Sequence, residues 1–120
     1  MFGMSEREPA VYVDDILSSI RKIKRYTKGM SEAEFFRSSI TVDAVVRNLG
    51  IIGEAASAIP DEYKKKFSNV PWRKIIGMRN KVVHEYFGLI EDILWSTINK
   101  DIPLLERQIK EVAKKLKKSR

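Results

Sequence analysis

Four polar side chains that can act on a phosphate group lie close together in residues 70–87. They are Arg79, Asn80, His84 and Tyr86, and His84 is the only histidine in the protein. Histidine exchanges a proton near neutral pH, and arginine donates parallel hydrogen bonds to phosphate oxygens. Asparagine can orient an imidazole or bond a phosphate oxygen itself. These residue types indicate acid–base chemistry on a phosphodiester.

The reaction that fits this set is metal-independent cleavage of RNA. It needs a base for the ribose 2′-hydroxyl, an acid for the leaving 5′-oxygen, and a cation to offset charge on phosphorus. One histidine cannot easily be both acid and base in the same step. A two-fold homodimer would place His84 and Arg79 of both chains around one cleft, so we predict a composite site. The predicted catalytic residues are Arg79, Asn80 and His84.

The spacing of these residues also has a structural interpretation. A lone histidine on a helix is often a structural residue, Arg79 and Asn80 could lie on the surface, and Tyr86 could be a core ring with a hydrated hydroxyl. An Arg-x4-His pattern is too short to decide between the catalytic and the structural interpretation. The alternative function is a non-catalytic helical adaptor that binds a nucleotide or docks onto a partner.

Residues 70–87 are predicted to form one helix of about four turns. Proline stands near its start at Pro71, and no helix breaker follows until Gly88. At about 100° per residue, the asparagine and the histidine share one stripe of that helix, whereas the arginine and the tyrosine share another.

The first half of the chain predicts three more helices. Residues 10–27 form an amphipathic helix that ends at Lys28-Gly29. A capping box from Ser31 to Glu34 starts a short helix that runs to about Arg37. Residues 41–59 form a third helix with a regular apolar stripe, which consists of Val42, Val45, Leu49, Ile52, Ala56 and Ile59.

A second line of small residues runs along this third helix and contains Gly50, Gly53 and Ser57. A glycine inside a helix costs about 1 kcal/mol relative to alanine, so we expect another helix to approach closely there. Arg47 and Glu54 lie on the same side. They could face a partner subunit or the site, but a surface ion pair is the favoured interpretation.

The second half predicts shorter elements and one long helix. Asp61 is expected to cap a turn through Lys66, and residues 90–97 to form a short helix with Trp95 in the core. Asp101 is expected to cap the last helix, with Pro103 in its first turn. The buried stripe of that helix is predicted to be Leu105, Ile109, Val112 and Leu116. The sum is an all-α antiparallel bundle of four main helices and one or two short ones, in a single domain over residues 1–120.

Composition narrows the function further. With 43% hydrophobic and 32% charged residues and no long apolar run, the chain is predicted to be a cytoplasmic globular protein without membrane segments. Zero cysteines and one histidine exclude a zinc site within one chain, whereas a carboxylate site for magnesium stays open. We expect no cofactor. The net charge is +7, and residues 106–120 alone hold seven Lys/Arg against two Glu, which could attract RNA or simply form a solvated helix end.

The run PWRKIIGMRNKVVHEYFG (residues 71–88) resembles the signature of HepT-like proteins, in the HEPN superfamily of small helical nucleases. Their motif, Arg-Asn-x3-His-x-Tyr, stands here as Arg79-Asn80-x3-His84-x-Tyr86. The likeness extends to DAVVRNLGIIGEAA (residues 43–56) and ILWSTINKDIPLL (residues 93–105), so it covers most of the chain.

The resemblance implies the toxin of a toxin–antitoxin pair, acting as a metal-independent endoribonuclease in a helical homodimer. Its partner would be a minimal nucleotidyltransferase antitoxin of the MntA type. That partner would silence the toxin by transferring AMP from ATP to the motif tyrosine, matched here by Tyr86. Many relatives carry an aspartate soon after Tyr-Phe-Gly, where this sequence has Ile90 and then Glu91 and Asp92.

Overall fold

In the computed structural model, which describes residues 8–77 and 91–118, every regular element is helical. The elements are α1 (Pro9–Thr27), α2 (Glu32–Arg37), α3 (Ser39–Ala58), α4 (Asp61–Lys66), α5 (described over residues 72–77), α6 (Glu91–Ser96), a π-helical turn (Thr97–Asp101) and α7 (Ile102–Lys118). The prediction of an all-α fold is therefore confirmed. None of the helices in the described ranges has the length and apolar character needed to cross a membrane.

Helix α1 is the central element of the core because it packs against both α3 and α7. Pro9 occupies its first turn, where a missing N–H costs nothing. The helix ends just before Gly29, whose backbone has a positive φ of 76°. Residues with a Cβ atom rarely adopt such an angle. As predicted from the sequence, its buried stripe includes Val13, Ile16, Leu17, Ile20 and Ile23.

An ion pair fixes the antiparallel packing of α1 and α7. The ammonium of Lys24, near the end of α1, lies 2.7 Å from a carboxylate oxygen of Glu106, near the start of α7. The Glu106 side chain is only 11% exposed. The hydrogen bond from Lys24 lowers the pKa of the Glu106 carboxyl, although partial burial opposes it, and the carboxylate therefore stays charged beneath the lysine.

The capping box at α2 is confirmed in full. The Ser31 hydroxyl accepts a hydrogen bond from the Glu34 N–H at 3.1 Å, and the Glu34 carboxylate accepts one from the Ser31 N–H at 2.9 Å. That second bond lowers the pKa of Glu34. Helix α2, which follows this cap and ends at Arg37, presents Phe35 to the core, where its side chain is fully buried.

Helix α3 buries the predicted apolar stripe, and all six residues from Val42 to Ile59 belong to the core. The expected close approach at the small-residue line is wrong for Gly50. A Cβ built there would have no neighbouring heavy atom within 4 Å among the described residues. Arg47 and Glu54 are both exposed, as expected for surface residues, and their pairing stays a prediction.

Asp61 does not cap α4, contrary to the sequence prediction. Pro60 is the N-cap, with an extended ψ of 147°, and its carbonyl accepts hydrogen bonds from Tyr63 and Lys64. Asp61 is instead the first helical residue. Its carboxylate and that of Glu62 lie in the first turn, where the helix dipole favours negative charge.

Asp101 does not cap α7 either, because the chain passes from α6 to α7 without leaving a helical conformation. The Ile102 N–H bonds to the Thr97 carbonyl, five residues back, in a π-helical turn. Pro103 has no N–H to donate and its ring needs room beside the preceding turn, and a widened turn supplies that room. The Thr97 hydroxyl and the Asn99 amide bond carbonyls of α6 at 2.8 and 2.9 Å.

The predicted burial along α6 and α7 is largely confirmed. Leu105, Ile109 and Val112 are buried, and Leu116 is half-buried against the core. Trp95 also packs against the core as expected, with its ring centroid 5.6 Å from that of Phe35.

Candidate active site

The predicted site residues Arg79, Asn80, His84 and Tyr86 lie outside the described residues, as does Ile90. The predicted stripes of residues 70–87 therefore stay predictions beyond residue 77. The structure does describe the segments that lead into residues 78–90 and out of them. Those segments are α5 on one side and α6 on the other.

The start of α5 is fixed by its buried tryptophan. Trp72 is 7% exposed, and its indole N–H donates to the Phe67 carbonyl at 3.1 Å. The Pro71 carbonyl accepts the Ile75 N–H at 3.0 Å, which is the first hydrogen bond of this helix. Val70 and Ile75 are buried on either side of that turn. The helix predicted over residues 70–87 is confirmed for residues 72–77, and it begins two residues later than predicted.

Two polar contacts join α5 and the turn before it to the π-helical turn and to α7. Lys74 lies 3.5 Å from the Asp101 carboxylate, and the Gln108 amide donates to the Asn69 carbonyl at 3.2 Å. A cleft of about 40 Å³ lies between the two helices and is lined mainly by apolar side chains, among them Ile75 and Leu105. A cleft of this size holds one or two water molecules, so it belongs to the packing and not to substrate binding.

Helix α6 is fixed just as closely to the core on the other side of residues 78–90. Leu94 is 2% exposed, and Trp95 packs against Phe35 of α2. The chain that carries the motif therefore begins and ends on packed helices.

A wide, open groove beside the start of α5 is lined by four basic side chains. Its volume is about 490 Å³, and its lining includes Lys64 and Lys65 of α4 and Arg73 and Lys74 of α5. Asp61 is the acidic residue among those that line it. Sequence analysis emphasised the basic C-terminal residues and missed this groove. The signal was present in the short runs KKK at 64–66 and RK at 73–74.

Within residues 8–77 and 91–118, no three Asp, Glu or His side chains are grouped closely enough to hold a metal ion.

Comparison with known proteins assigns the chain to a family. The family described as ribonuclease HepT-like matches residues 16–112, an interval that includes the Arg79 to Tyr86 motif. The chain belongs to the HepT-like family. The family resemblance noted from the motif is thereby confirmed.

Individual relatives support the same HepT-like assignment. A protein of Caldanaerobacter subterraneus subsp. tengcongensis named "Putative RNase" is 43% identical over 111 residues, covering 92% of this chain and 99% of the relative. A Thermococcus cleftensis protein named "Probable ribonuclease HepT" is 37% identical, covering 86% and 94%. A Methanocaldococcus jannaschii protein named "Putative RNase" is 36% identical, covering 88% and 97%. No solved structure matches the chain significantly.

Proposed function

We propose that this HepT-like protein, a ribonuclease of the HEPN superfamily, is the toxin of a toxin–antitoxin pair. In this proposal it cuts RNA without a metal ion at a site shared by two copies of the chain. The observation that carries the proposal is the intact Arg79-Asn80-x3-His84-x-Tyr86 motif, which lies inside the region that matches the family. The names of the relatives quoted above support RNA as the substrate.

The proposed reaction is an internal transfer at phosphorus. A base removes the proton of the ribose 2′-hydroxyl, and the 2′-oxygen attacks the adjacent phosphorus. The bond from phosphorus to the 5′-oxygen breaks, and an acid gives that oxygen a proton. The products are a 2′,3′-cyclic phosphate and a 5′-hydroxyl. Arg79 would hold the non-bridging oxygens, whose negative charge grows as phosphorus becomes pentacoordinate.

A homodimer supplies the second proton-transfer group. Each chain has one histidine, and base and acid act on opposite sides of the phosphorus in the same step. In a two-fold dimer, His84 of one chain would be the base and His84 of the other the acid. Asn80, one helical turn before the histidine in the predicted helix, would orient the imidazole or bond the phosphate.

Tyr86 would be the residue through which the partner controls the enzyme. A nucleotidyltransferase antitoxin would join the Tyr86 oxygen to the α-phosphorus of ATP, with release of pyrophosphate and of the hydroxyl proton. The tyrosine would then carry an AMP group with a negative phosphate. Because Tyr86 is seven residues from Arg79, and thus on the same stripe of the predicted helix, this charge would compete with RNA for the arginine.

Incubation with total RNA in the presence of EDTA tests the nuclease proposal. We expect the wild-type protein to leave 2′,3′-cyclic phosphate ends, and we expect Arg79→Ala to lose this cleavage because the phosphate grip is gone. End-group analysis of the products by mass spectrometry measures both. Equal activity in wild type and Arg79→Ala would indicate a contaminating nuclease and contradict the proposal. Binding of RNA without any cleavage would favour the adaptor alternative.

The Tyr86→Phe variant tests the control mechanism. It keeps the ring but removes the oxygen that would accept AMP, so we expect it to cut RNA and to resist silencing by the antitoxin and ATP. Intact-mass measurement should show AMP on the wild type and none on the variant. Tyr26→Phe is the matched control, since Tyr26 is an exposed tyrosine on α1, and it should still be modified and silenced. AMP found on Tyr86→Phe would contradict this role.

A further inference from the structure

The groove beside the start of α5 is lined by four cations, Lys64, Lys65, Arg73 and Lys74. Its cations come from two separate helices and line one wide, open groove of about 490 Å³. Exposed lysines on a single helix usually spread apart into water. Here the turn between α4 and α5 brings two pairs of cations to the same groove.

Two of these cations are held in place by contacts with the fold. The Lys64 ammonium donates to the Ser57 carbonyl at 3.4 Å, near the C-terminal end of α3, where the helix dipole favours positive charge. Lys74 pairs with Asp101 at 3.5 Å, although its own side chain is 67% exposed. Asp61 is the carboxylate in the lining, so the groove keeps an excess of positive charge.

The chemistry of the lining selects a polyanion whose charged groups are spaced along a chain. Arginine and lysine both bind phosphate oxygens, Arg73 through its planar fork and the lysines as point charges. The aromatic residue of the groove, Trp72, is not available for base stacking. It is buried and its indole N–H is bonded to the Phe67 carbonyl. Contacts in the groove would therefore be made with phosphates and not with bases, so binding would not depend on the RNA sequence.

The position of the groove along the chain connects it with the motif. Arg73 and Arg79 are six residues apart, so their Cα atoms cannot be more than about 22 Å apart, whatever the conformation of the chain between them. An RNA strand with its scissile phosphate at Arg79 would thus have neighbouring phosphates within reach of the groove. We infer that the α4–α5 groove binds the sugar–phosphate backbone of the RNA substrate next to the cleavage point. This inference rests on the proposed ribonuclease function.

A second basic groove, between α1 and α7, is the other surface that could bind RNA. Its volume is about 520 Å³, and it is lined by Arg21 and Arg107 and by lysines of α7 together with Glu111. The sequence places none of its residues near the motif. It offers a control with the same residue types, because Arg107, Lys114 and Lys117 match Arg73, Lys64 and Lys65 in number and kind.

The experiment compares two triple variants, Lys64→Gln/Lys65→Gln/Arg73→Gln in the α4–α5 groove and Arg107→Gln/Lys114→Gln/Lys117→Gln in the α1–α7 groove. Lys74 is left intact because its pair with Asp101 holds α5. Binding is measured by fluorescence anisotropy with short single-stranded RNAs of two sequences, 2′-O-methylated so that they cannot be cut. Each protein is titrated over a range of salt concentrations, and circular dichroism checks that it is folded.

We expect the α4–α5 variant to bind both RNAs more weakly and with less dependence on salt. Each phosphate contact on single strands contributes a slope of about 0.7, so three lost contacts lower the slope of log K against log salt by about 2. The same change weakens binding by roughly 10- to 100-fold at about 0.1 M salt. The α1–α7 variant should bind as the wild type does. In cleavage assays on ordinary RNA, the loss in the α4–α5 variant should fall on KM.

Several results would overturn the inference. Equal weakening of RNA binding in both variants would indicate attraction by net charge alone. Weaker RNA binding in the α1–α7 variant only, or no RNA binding by the wild type, would also contradict the inference. The proposed nuclease fails separately, if the wild type binds RNA through the α4–α5 groove but cuts none in EDTA. Conversely, if the wild type cleaves RNA and the α4–α5 variant binds RNA as the wild type does, the nuclease proposal is supported. The inference that the α4–α5 groove binds RNA is then contradicted.

Discussion

The variant His84→Ala is expected to lower the rate of RNA cleavage by roughly 10⁴-fold. A positioned acid or base contributes about 10²- to 10⁴-fold, and His84 would supply both, one from each chain of the dimer. The measurement is the single-turnover rate with saturating protein, so that a change in RNA affinity does not enter. Binding of 2′-O-methylated RNA should persist, because the cations that hold phosphates are unchanged. Loss of both binding and thermal stability would indicate misfolding instead of lost chemistry.

The composite site makes a sharper prediction for mixed dimers. When wild-type and His84→Ala chains carry different affinity tags, two purification steps isolate the heterodimer. One cleft then has an acid or a base but not both, so we expect the heterodimer to be slower than the wild type by about 10²-fold or more. If each chain held a complete site, the heterodimer would keep about half of the wild-type activity. Half activity would therefore contradict the shared site and leave the single-chain nuclease possible.

The parts of the fold that the sequence predicted correctly are those controlled by neighbouring residues. The capping box depends on two side chains three residues apart, Ser31 and Glu34, and both hydrogen bonds formed as expected. The apolar stripe of α3 depends on helical periodicity, which any helix in a single core must satisfy. The helix start after Pro71 likewise follows from the local chemistry of proline.

The errors occurred where two neighbouring signals competed. Asp61 was expected to be the cap because aspartate is a good N-cap, but Pro60 already had the extended conformation and the free carbonyl that a cap needs. Asp101 and Pro103 together indicated a new helix. The structure instead keeps the helix and widens one turn, which places Ile98 and Ile102 in the core on both sides of that turn. At Asp61 the neighbouring proline decided the outcome, whereas at Asp101 tertiary burial decided it, and burial is not visible from local spacing.

For the candidate site, the sequence was informative about chemistry and uninformative about the approach of the substrate. The motif residues are close in sequence, so their types and spacing could be recognised directly. The groove cations belong to two helices that are separated by a buried turn at Phe67 and Val70. The packing of that turn, with the Trp72 indole bonded to the Phe67 carbonyl, brings Lys64 and Arg73 to one open groove.

Substitution of the buried Phe35 is expected to have the largest effect on stability. Its side chain is fully buried, and its ring lies 4.9 Å from Phe36 in an edge-on arrangement and 5.6 Å from Trp95 of α6. Helix α2 has six residues, too few to be stable alone, so this ring attaches it to the core. Phe35→Ala should lower the free energy of unfolding by about 3–5 kcal/mol and the melting temperature by roughly 10–20 °C. Urea and thermal unfolding followed by circular dichroism measure both quantities.

The adjacent Phe36→Ala is the matched control, because it deletes the same ring from a half-buried position on the same helix. We expect it to cost about 1–2 kcal/mol, since less apolar surface is removed from the core. If Phe35→Ala does not fold, Phe35→Leu keeps most of the volume and should still cost more than Phe36→Leu. Equal losses at the two positions would mean that α2 is not held by the Phe35 ring. Because Trp95 lies in α6, the helix that begins directly after residues 78–90, loss of that attachment should also slow RNA cleavage in a Phe35→Leu protein that remains folded.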